Sequence, residues 1–223
     1  MRRFKITDVF IGVIFTLLFI SIAVVITINF RPLYYFDIDH LRVADSSGLT
    51  KEVIRENYDA LIDYSSPFFK GELRFPTLAA SESGLFHFTE VKNIFTGFYI
   101  LGAITLAFGV VIIVQKHKNK DFSYLLVSSV TAIVLPSLLA LFLSIDFDRT
   151  FVIFHKLFFN NDYWLFDPAT DPVITILPDT FFMHCAIMII VLVVLMSLLF
   201  LTVYLVKRQH SGIKYRRSKG LKI

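Results

Sequence analysis

Cysteine is almost absent from this chain of 223 residues, in which Cys185 is the single example. An intrachain disulfide is therefore excluded. Cys185 lies at the start of an apolar run, where burial disfavours a reactive thiolate, so we interpret it as a packing residue. Charged residues are sparse as well, at 18%. The apolar runs contain almost none of them, which argues against a transporter with intramembrane charges.

Several catalytic and metal-binding motifs are also missing. The sequence contains no HExxH, no CxxC and no Cys/His cluster, so we expect neither a metal site nor a cofactor. It has no GxSxG and no serine placed with a histidine and an acid, so a serine hydrolase is unsupported. No internal repeat or low-complexity tract is present.

Apolar and aromatic residues are abundant instead. The chain is 56% hydrophobic, has 25 phenylalanines and has a mean hydropathy of +0.68. Four apolar runs approach the ~20 residues that span a bilayer; they are Val9–Phe30, Ile94–Gln115, Tyr124–Ser144 and Met183–Val206. The first run is too long for a signal-peptide core and lacks a cleavage site, so we expect it to be retained. The predicted fold class is an all-α membrane protein with four transmembrane helices.

Basic residues are distributed asymmetrically along the chain. Thirteen of the 22 Lys and Arg residues, but two of the 18 acidic residues, lie in the N-terminal tail, the QKHKNKD loop and the tail from Lys207. The positive-inside rule places these segments and both termini in the cytoplasm. The net charge of +4 then reflects topology. The C-terminal tail most simply contacts anionic lipid headgroups, so no nucleic-acid partner is expected.

The predicted organisation follows chain order. Residues 1–30 form a cytoplasmic tail and the first span, 31–93 a small extracellular cap, and 94–144 two spans joined by a short basic cytoplasmic loop. Residues 145–182 form an extracellular aromatic loop, 183–206 the last span, and 207–223 a basic cytoplasmic tail. Both long loops lie on the same membrane face, so they can assemble one site.

Local patterns predict five elements within these two loops. Apolar residues at three- and four-residue spacing predict a helix that ends before Pro67. GELRFPTLAASES indicates a short extended piece, and PVITILP a β-like or re-entrant run. A Ser or Glu before Gly84 is expected to cap a helix that begins outside the bilayer and continues into it. Phenylalanines at helical spacing around His155 predict a short amphipathic helix in the membrane interface.

Two histidines stand at the predicted extracellular boundary among aromatic residues. His87 lies three residues before Glu90, so on a helix the carboxylate could orient the imidazole. Lys92 falls on a different face and could anchor a phosphate. His155 precedes Trp164, an interfacial belt residue. Local spacing alone favours a plainer interpretation, in which His87 begins a helix beside a solvated Glu90 and His155 turns its polar tip to water.

Two sequence blocks carry a resemblance to a known family. The first is E-x4-H-x2-E-V-K, formed by Glu82, His87, Glu90, Val91 and Lys92. The second is FHKLFFNNDYWLFDPATDPVITILPDTFF, which precedes the last span. With four spans and both ends inside, these blocks resemble the bacterial lipoprotein intramolecular transacylase family, Lit, over nearly the whole chain.

The resemblance implies an acyltransferase that needs no cofactor and is a multi-pass protein of the bacterial cell membrane, with its active site on the extracellular face. Such enzymes move the sn-2 acyl chain of a lipoprotein's diacylglyceryl group to the α-amino group of the N-terminal cysteine, giving a lyso-form lipoprotein. The implied partners are diacylglyceryl-modified lipoproteins and membrane lipids. The sequence leaves the oligomeric state open. His87 and His155 match the family's two essential histidines.

We hypothesise that His87, oriented by Glu90, is the general base, and that His155 donates to the oxyanion or the leaving alkoxide; the roles can also be reversed. No covalent intermediate is required. The supporting candidates are Glu82 and Lys92 from the first block, Asn160 and Trp164 as contributors to oxyanion stabilisation, and Asp167 and Arg149 as residues that hold the loop.

Two rival classes of function stay open at this point. A non-enzymatic membrane module would bind a lipid or protein partner through the extracellular cap, and its histidines would sense pH. An intermolecular acyltransferase or phospholipase-like enzyme would need a nucleophile or a second lipid site.

Overall fold

The computed structural model of the chain describes residues 6–220, without the side chains of residues 135, 139, 143 and 210–220. Helices joined by turns and irregular segments make up this part of the chain. The α-helices are α1 (Ile6–Asn29), α2 (Arg31–His40), α3 (Val43–Ser47), α4 (Lys51–Ser65), α5 (Glu82–Lys118), α6 (Ser123–Ile145), α7 (Phe147–Phe158) and α8 (Asp179–Gly220). A 3-10 helix, Pro172–Ile176, lies between α7 and α8. No β-strand occurs among residues 6–220, so the all-α prediction is confirmed. The basic residues of the tip 1–5 and the side chains of the basic tail from 210 onward lie outside the described residues.

Four helices are long and apolar enough to cross a membrane: Ile6–Asn29, Glu82–Lys118, Ser123–Phe142 and Asp179–Gln209. Each overlaps one of the four predicted apolar runs, so the prediction of four candidate spans is confirmed. Helix α5 begins at Glu82, well before the apolar run that starts at Ile94. Its first turns therefore carry His87 and Glu90 on the same continuous helix as a candidate span.

One compact unit comprises Met1–Ile22, Leu101–Leu139 and Ile190–Ile223. Several of its buried polar side chains are partnered within the protein. Lys116 pairs with Asp8 at 2.8 Å and with Asp121 at 3.0 Å, and Ser197 donates to the carbonyl oxygen of Ser129 at 2.6 Å. Internal partners of this kind are needed wherever lipid replaces water, because hydrocarbon offers no hydrogen bonds.

A second compact unit comprises Ala23–Ile100 and Ala140–Ile189. Its core packs α2 and α4 against the 3-10 helix and the start of α8. Tyr34 stacks on Tyr58 with ring centroids 3.7 Å apart, and its hydroxyl donates to the carbonyl oxygen of Ile176 at 2.5 Å. Other buried members are Ile38, Val43, Ile54, Leu61, Val173 and Phe181. This core fixes the positions of the 3-10 helix and the start of α8, which follow residues 159–171 in the chain.

The segment PVITILP is not β-like or re-entrant, so that expectation is wrong. Pro172 occupies the start of the 3-10 helix, where its missing N–H costs nothing. Val173 and Ile176 are both fully buried, because the threefold repeat of a 3-10 helix places residues three apart on one face. Apolar residues between two prolines therefore fill one face of a 3-10 helix instead of one face of a strand.

The extended piece predicted in GELRFPTLAASES is an irregular segment without ladder pairing. Asn57, buried on α4, replaces a neighbouring strand as its hydrogen-bonding partner. The Asn57 amide oxygen accepts from the backbone N–H groups of Thr77 and Leu78 at 3.3 Å each, and its Nδ2 donates to the Thr77 hydroxyl at 2.6 Å. Helix α4 itself runs as predicted: Thr50 caps its first turn and it ends before Pro67.

Helix α7 confirms the predicted short amphipathic helix and begins four residues earlier than its phenylalanine spacing indicated. Asp146 caps it by accepting from the backbone N–H of Arg149 at 2.9 Å. Ile153 and Leu157 are exposed, whereas His155 is buried. The helix therefore turns its one histidine inward and its aliphatic residues outward.

Candidate functional site

His87 and His155 lie side by side in the second compact unit, with ring centroids 6.0 Å apart. His87 projects from the first turns of α5 and His155 from the last turn of α7. Both are buried, at 4% and 9% exposure. The plainer interpretation, in which His155 turns its polar tip to water, is therefore wrong. The two histidines form a pair that only the folded chain creates.

Aromatic rings enclose this histidine pair. The ring of Phe159 lies 4.6 Å from His87 and 5.6 Å from His155, measured between centroids. Trp164 lies 4.8 Å from His155, and Phe166 lies 5.5 Å from His87. Apolar walls of this kind exclude water and strengthen electrostatic interactions inside the site.

Backbone geometry fixes the tautomer of His155. Its Nδ1 lies 2.8 Å from the carbonyl oxygen of Phe151. A carbonyl oxygen can only accept, so Nδ1 carries the hydrogen and Nε2 of the neutral ring carries the lone pair. Burial lowers the pKa of His155 below its ordinary value, against smaller opposing effects of the Phe151 carbonyl and Asp179. At neutral pH the ring is therefore neutral, with Nε2 able to accept a proton.

Two buried polar atoms at the site have no hydrogen-bond partner among the described residues. They are Nδ1 of His87 and Nε1 of Trp164. Buried polar groups are almost always paired, and the exceptions occur at sites where a ligand or a chemical step supplies the partner. An unpaired acceptor is tolerated better than an unpaired N–H. The tautomer of His87 that leaves Nδ1 as the acceptor, with the hydrogen on Nε2, is therefore favoured.

The part of the predicted aromatic loop that is not helical, residues 159–171, is called the aromatic loop from here on. Asp171 attaches one end of it to the N-terminus of α5. Its Oδ1 accepts from the backbone N–H of Ser81 at 2.8 Å. The Ser81 hydroxyl in turn accepts from the N–H of Gly84 at 3.0 Å, which confirms the predicted serine cap. Gly84 is required here, because a Cβ at this position would overlap the Asp171 carboxylate and press on the Phe166 ring at 3.1 Å.

Asn161 attaches the other end of the aromatic loop to α5. Its Nδ2 donates to both carboxylate oxygens of Glu90, at 3.0 and 3.2 Å. The hypothesis that Glu90 orients His87 is therefore corrected: the carboxylate is engaged by the loop, and Nδ1 of His87 has no partner. Residues three apart on a helix are neighbours, but their side chains need not converge.

The other predicted supporting residues lie in varied positions. Trp164 contacts His155, as given above. Lys92 holds the segment after α4: its Nζ donates to the Phe69 carbonyl at 3.0 Å and lies 4.4 Å from the centre of the Tyr64 ring. Asp167 closes a local turn by accepting from the N–H of Ala169 at 2.9 Å. The remaining three, Glu82, Arg149 and Asn160, are exposed.

Asn161 and Asp171 were missed by sequence reasoning. Asn161 is adjacent to the predicted Asn160, and nothing in the composition of the turn distinguishes the two. Asp171 had a usable signal, since an acid directly before Pro172 is a common way to begin a helical turn. Its actual partner, Ser81, is 90 residues away, and local patterns do not reveal such pairs.

A second histidine–carboxylate pair lies apart from these residues. Nδ1 of His184, on α8, is 2.9 Å from both oxygens of the fully buried Asp37. The ring of His184 thus joins α8 to a buried carboxyl group on α2. No cluster of three or more His, Cys, Asp or Glu residues suited to a metal ion occurs in the described part of the chain.

Comparison with known proteins identifies relatives of this architecture. The sequence profile of the family described as lipoprotein intramolecular transacylase Lit matches residues 9–182. The structure of the integral membrane lipoprotein intramolecular transacylase Lit from Bacillus cereus is 36% identical, with a TM-score of 0.89, and the match covers 93% of this chain and 98% of that chain. No match was found among the curated proteins.

Two further structures of the Bacillus cereus protein carry a histidine replaced by arginine or by alanine. They match with TM-scores of 0.83 and 0.84, again at 36% identity, and cover 93% of this chain and 95% and 96% of theirs. Together with four apolar helices, these matches show a multi-pass integral membrane protein. The family profile spans most of the chain, and the chain therefore belongs to the lipoprotein intramolecular transacylase family, Lit.

Proposed function

We propose that this protein transfers an acyl chain within a single lipoprotein molecule. The sn-2 acyl group of the diacylglyceryl moiety moves to the α-amino group of the N-terminal cysteine, which leaves a lyso-form lipoprotein. Family membership supports the reaction class. The observation that carries the mechanism is the buried histidine pair, His87 and His155, enclosed by aromatic rings.

The histidines favour acid–base chemistry over a covalent enzyme intermediate. Among the described residues, no Ser, Thr or Cys side chain is hydrogen-bonded to either ring, so neither histidine has an activated nucleophile beside it. The substrate supplies its own nucleophile, a primary amine. Direct attack on the ester carbonyl closes an eight-membered ring, and holding that ring closed can contribute much of the ~7–11 kcal/mol available from proximity.

In this proposal His155 is the general base, which reverses our first assignment of roles. Its Nε2 carries the lone pair because Nδ1–H is committed to the Phe151 carbonyl. The hydrogen bond also stabilises the imidazolium that forms when Nε2 takes a proton. His87, with its hydrogen on Nε2, is the donor to the leaving group. The two rings are close enough to exchange a proton directly or through one water.

The proposed steps balance in atoms and protons. The neutral amine attacks the ester carbonyl carbon, and Nε2 of His155 takes a proton from the attacking nitrogen. The tetrahedral intermediate collapses, the bond from carbon to the glycerol oxygen breaks, and that oxygen receives a proton from the histidine pair. The amine has become an amide, the ester has become a hydroxyl, and both histidines return to their starting state.

Trp164 is the best candidate donor to the tetrahedral oxyanion. Its indole N–H is buried without a partner, and its ring lies 4.8 Å from that of His155. Because this donor is already removed from water before substrate binds, no further desolvation free energy is lost when the oxyanion forms. One such donor typically stabilises the transition state by ~3–4 kcal/mol. Asn160, exposed on the loop, is a weaker candidate for this role.

The proposed topology has both termini in the cytoplasm and the histidine pair on the extracellular face, where mature lipoproteins reside. The distribution of basic residues supports it. Single cysteines can test it after Cys185 is replaced by serine. A membrane-impermeant maleimide should label Phe68→Cys, which replaces an exposed side chain, in intact cells, and label Lys118→Cys only after lysis. The reverse pattern would overturn the orientation.

Mass spectrometry of a reporter lipoprotein tests the reaction. Wild-type protein should convert a diacylated reporter with a free α-amine into the N-acylated lyso form, and His87→Gln and His155→Gln should each abolish conversion. Labelled phospholipid should not transfer label, because donor and acceptor are one molecule. An unchanged reporter with wild-type protein would sink the transacylase proposal. Full conversion by both histidine variants would contradict the histidine mechanism and leave the transacylase proposal standing.

A further inference from the structure

Glu90 lies one helical turn after His87 on α5 and is half-buried. Its carboxylate accepts two hydrogen bonds from Nδ2 of Asn161. No salt bridge to Glu90 occurs among the described residues. A carboxylate withdrawn from water is costly unless a cation or several donors compensate it, and one amide group supplies only part of that compensation.

Asn161 fixes the position of this carboxylate relative to the histidine pair. While Nδ2 holds Glu90, the amide oxygen of Asn161 accepts from the backbone N–H of Tyr163 at 3.0 Å. The next residue, Trp164, packs against the ring of His155. Glu90 is therefore fixed to the same turn that contacts His155, and no cation in the described part of the chain pairs with it there. On the same helix, three residues earlier, Nδ1 of His87 has no hydrogen-bond partner.

We propose that Glu90, oriented by Asn161, is the binding site for the α-ammonium group of the substrate. The inference rests on the proposed function, in which the acceptor is the amino terminus of a lipoprotein. An α-amino group has a pKa of about 7.7–8.0 and so arrives largely as a cation at neutral pH. A carboxylate with lone pairs to spare is the complementary group, and charge-assisted hydrogen bonds to it are the strong ones.

This site also explains how substrate and product are told apart. The bound ammonium gives its extra proton to Nε2 of His155, which releases it to solvent, and the neutral amine then attacks as described above. The product nitrogen is an uncharged amide. It can no longer pair with Glu90, so the reaction itself removes the interaction that held the substrate. Lipoproteins that are already N-acylated are excluded for the same reason.

A non-reactive probe pair tests the site by binding alone. The probes are a short lipopeptide with ether-linked chains on its N-terminal cysteine, and the same lipopeptide with an acetylated α-amine. Wild-type protein in detergent should bind the free-amine probe at least about tenfold more tightly. Glu90→Gln should bind the two equally. Its amide oxygen still accepts from Asn161, so a purely structural role predicts that Glu90→Gln keeps the wild-type preference, a result that overturns the proposal.

Three further measurements sharpen this test. Asp162→Asn removes a carboxylate from the same turn, but this side chain is exposed, so the tenfold preference should persist. Asn161→Asp sets a second carboxylate against Glu90 and should weaken folding of the turn, whereas Asn161→Asp combined with Glu90→Gln should restore it. In turnover assays Glu90→Gln should raise KM for the free-amine lipoprotein more than it lowers kcat. A loss confined to kcat would contradict a binding role.

Failure of this inference is distinguishable from failure of the proposed function. The ether-linked probes cannot transfer an acyl chain, so their binding does not depend on the reaction. Amine preference that requires Glu90, without acyl transfer by wild type, would leave the ammonium site standing and remove the transacylase proposal. Acyl transfer by wild type without any preference for the free amine would support the transacylase proposal and remove the ammonium site.

Discussion

The imidazole of His155 donates from Nδ1 to the carbonyl oxygen of Phe151, one turn earlier on α7, across 2.8 Å. A carbonyl oxygen has two lone pairs, so that of Phe151 can accept from the imidazole in addition to its ordinary helical hydrogen bond. A residue in the final turn of a helix can therefore have its tautomer set by its own helix. No separate carboxylate is needed to orient this base.

The pH dependence of acyl transfer should follow from this arrangement. His155 must be neutral to accept a proton, and burial lowers its pKa, so kcat/KM should rise with pH through a value below the ordinary ~6.5. Above about pH 8 kcat/KM should fall again, because the substrate amine loses the proton of the ammonium form that Glu90 is proposed to bind. Initial rates measured by mass spectrometry across pH 4.5–9.5 would check this, taking those limits as roughly two pH units beyond each ordinary pKa. An acid limb above about pH 6.5 would contradict the assignment of His155 as the base, and a plateau or a rise above about pH 8 would contradict ammonium binding by Glu90.

Trp164→Phe should lower kcat by about 10²-fold with little change in KM, because it deletes the unpaired indole N–H and keeps an aromatic ring against His155. The matched control is Tyr163→Phe, which removes a polar group from the exposed neighbour and should leave kcat unchanged. Thermal unfolding of both variants separates lost catalysis from lost packing. Unaltered kcat in Trp164→Phe would mean that the oxyanion is stabilised elsewhere.

Gly84→Ala should destabilise the protein by about 1–3 kcal/mol, since the new methyl group displaces Asp171 and the Phe166 ring. Activity should fall with stability, because the displaced loop carries the aromatic wall of the site. Gly97 offers a control on the same helix: a Cβ there meets nothing within 4 Å, so Gly97→Ala should be neutral or slightly stabilising. Unfolding midpoints in detergent give the comparison. Equal midpoints for the two variants would be inconsistent with the close approach at Gly84.

Lys92→Met should loosen the segment after α4 without reducing acyl transfer. The variant loses the hydrogen bond to the Phe69 carbonyl and the cation–π contact with Tyr64, so amide exchange in residues 66–75 should quicken. Lys70→Met, an exposed lysine in the same segment, should not change exchange. The original expectation that Lys92 anchors a phosphate predicts a raised KM instead, and kinetics of the two variants would decide between these roles.

Much of the fold was predictable because its signals are local. Apolar run length located the four candidate spans, and the spacing of phenylalanines located α7. Ser81 could be named as a cap because serine before a helix has one dominant use. Prediction failed where a local pattern had two solutions. In PVITILP a short apolar run between prolines fitted a strand, but a 3-10 helix is what buries Val173 and Ile176 on one side.

The candidate site was only partly predictable, because its members meet across long stretches of sequence. His87 and His155 were identified individually, and the family resemblance paired them. Glu90 was predicted to orient the nearest histidine, but its hydrogen-bond partner is Asn161, 71 residues away. Side-chain partners at such separations depend on how α5 and the aromatic loop pack. No periodicity in one sequence encodes that packing.

The two attachments of the aromatic loop also order events during folding. Ser81 and Asp171 are 90 residues apart in the chain, and Glu90 and Asn161 are 71 apart. Closing loops of this size is slow compared with forming a helix. Helix α5 is synthesised well before the residues that complete its N-terminal cap and engage its carboxylate. If the proposed function holds, acyl-transfer competence is thus acquired at the end of folding, when the aromatic loop docks. Incomplete chains that end after α5 carry His87 but no partner for it.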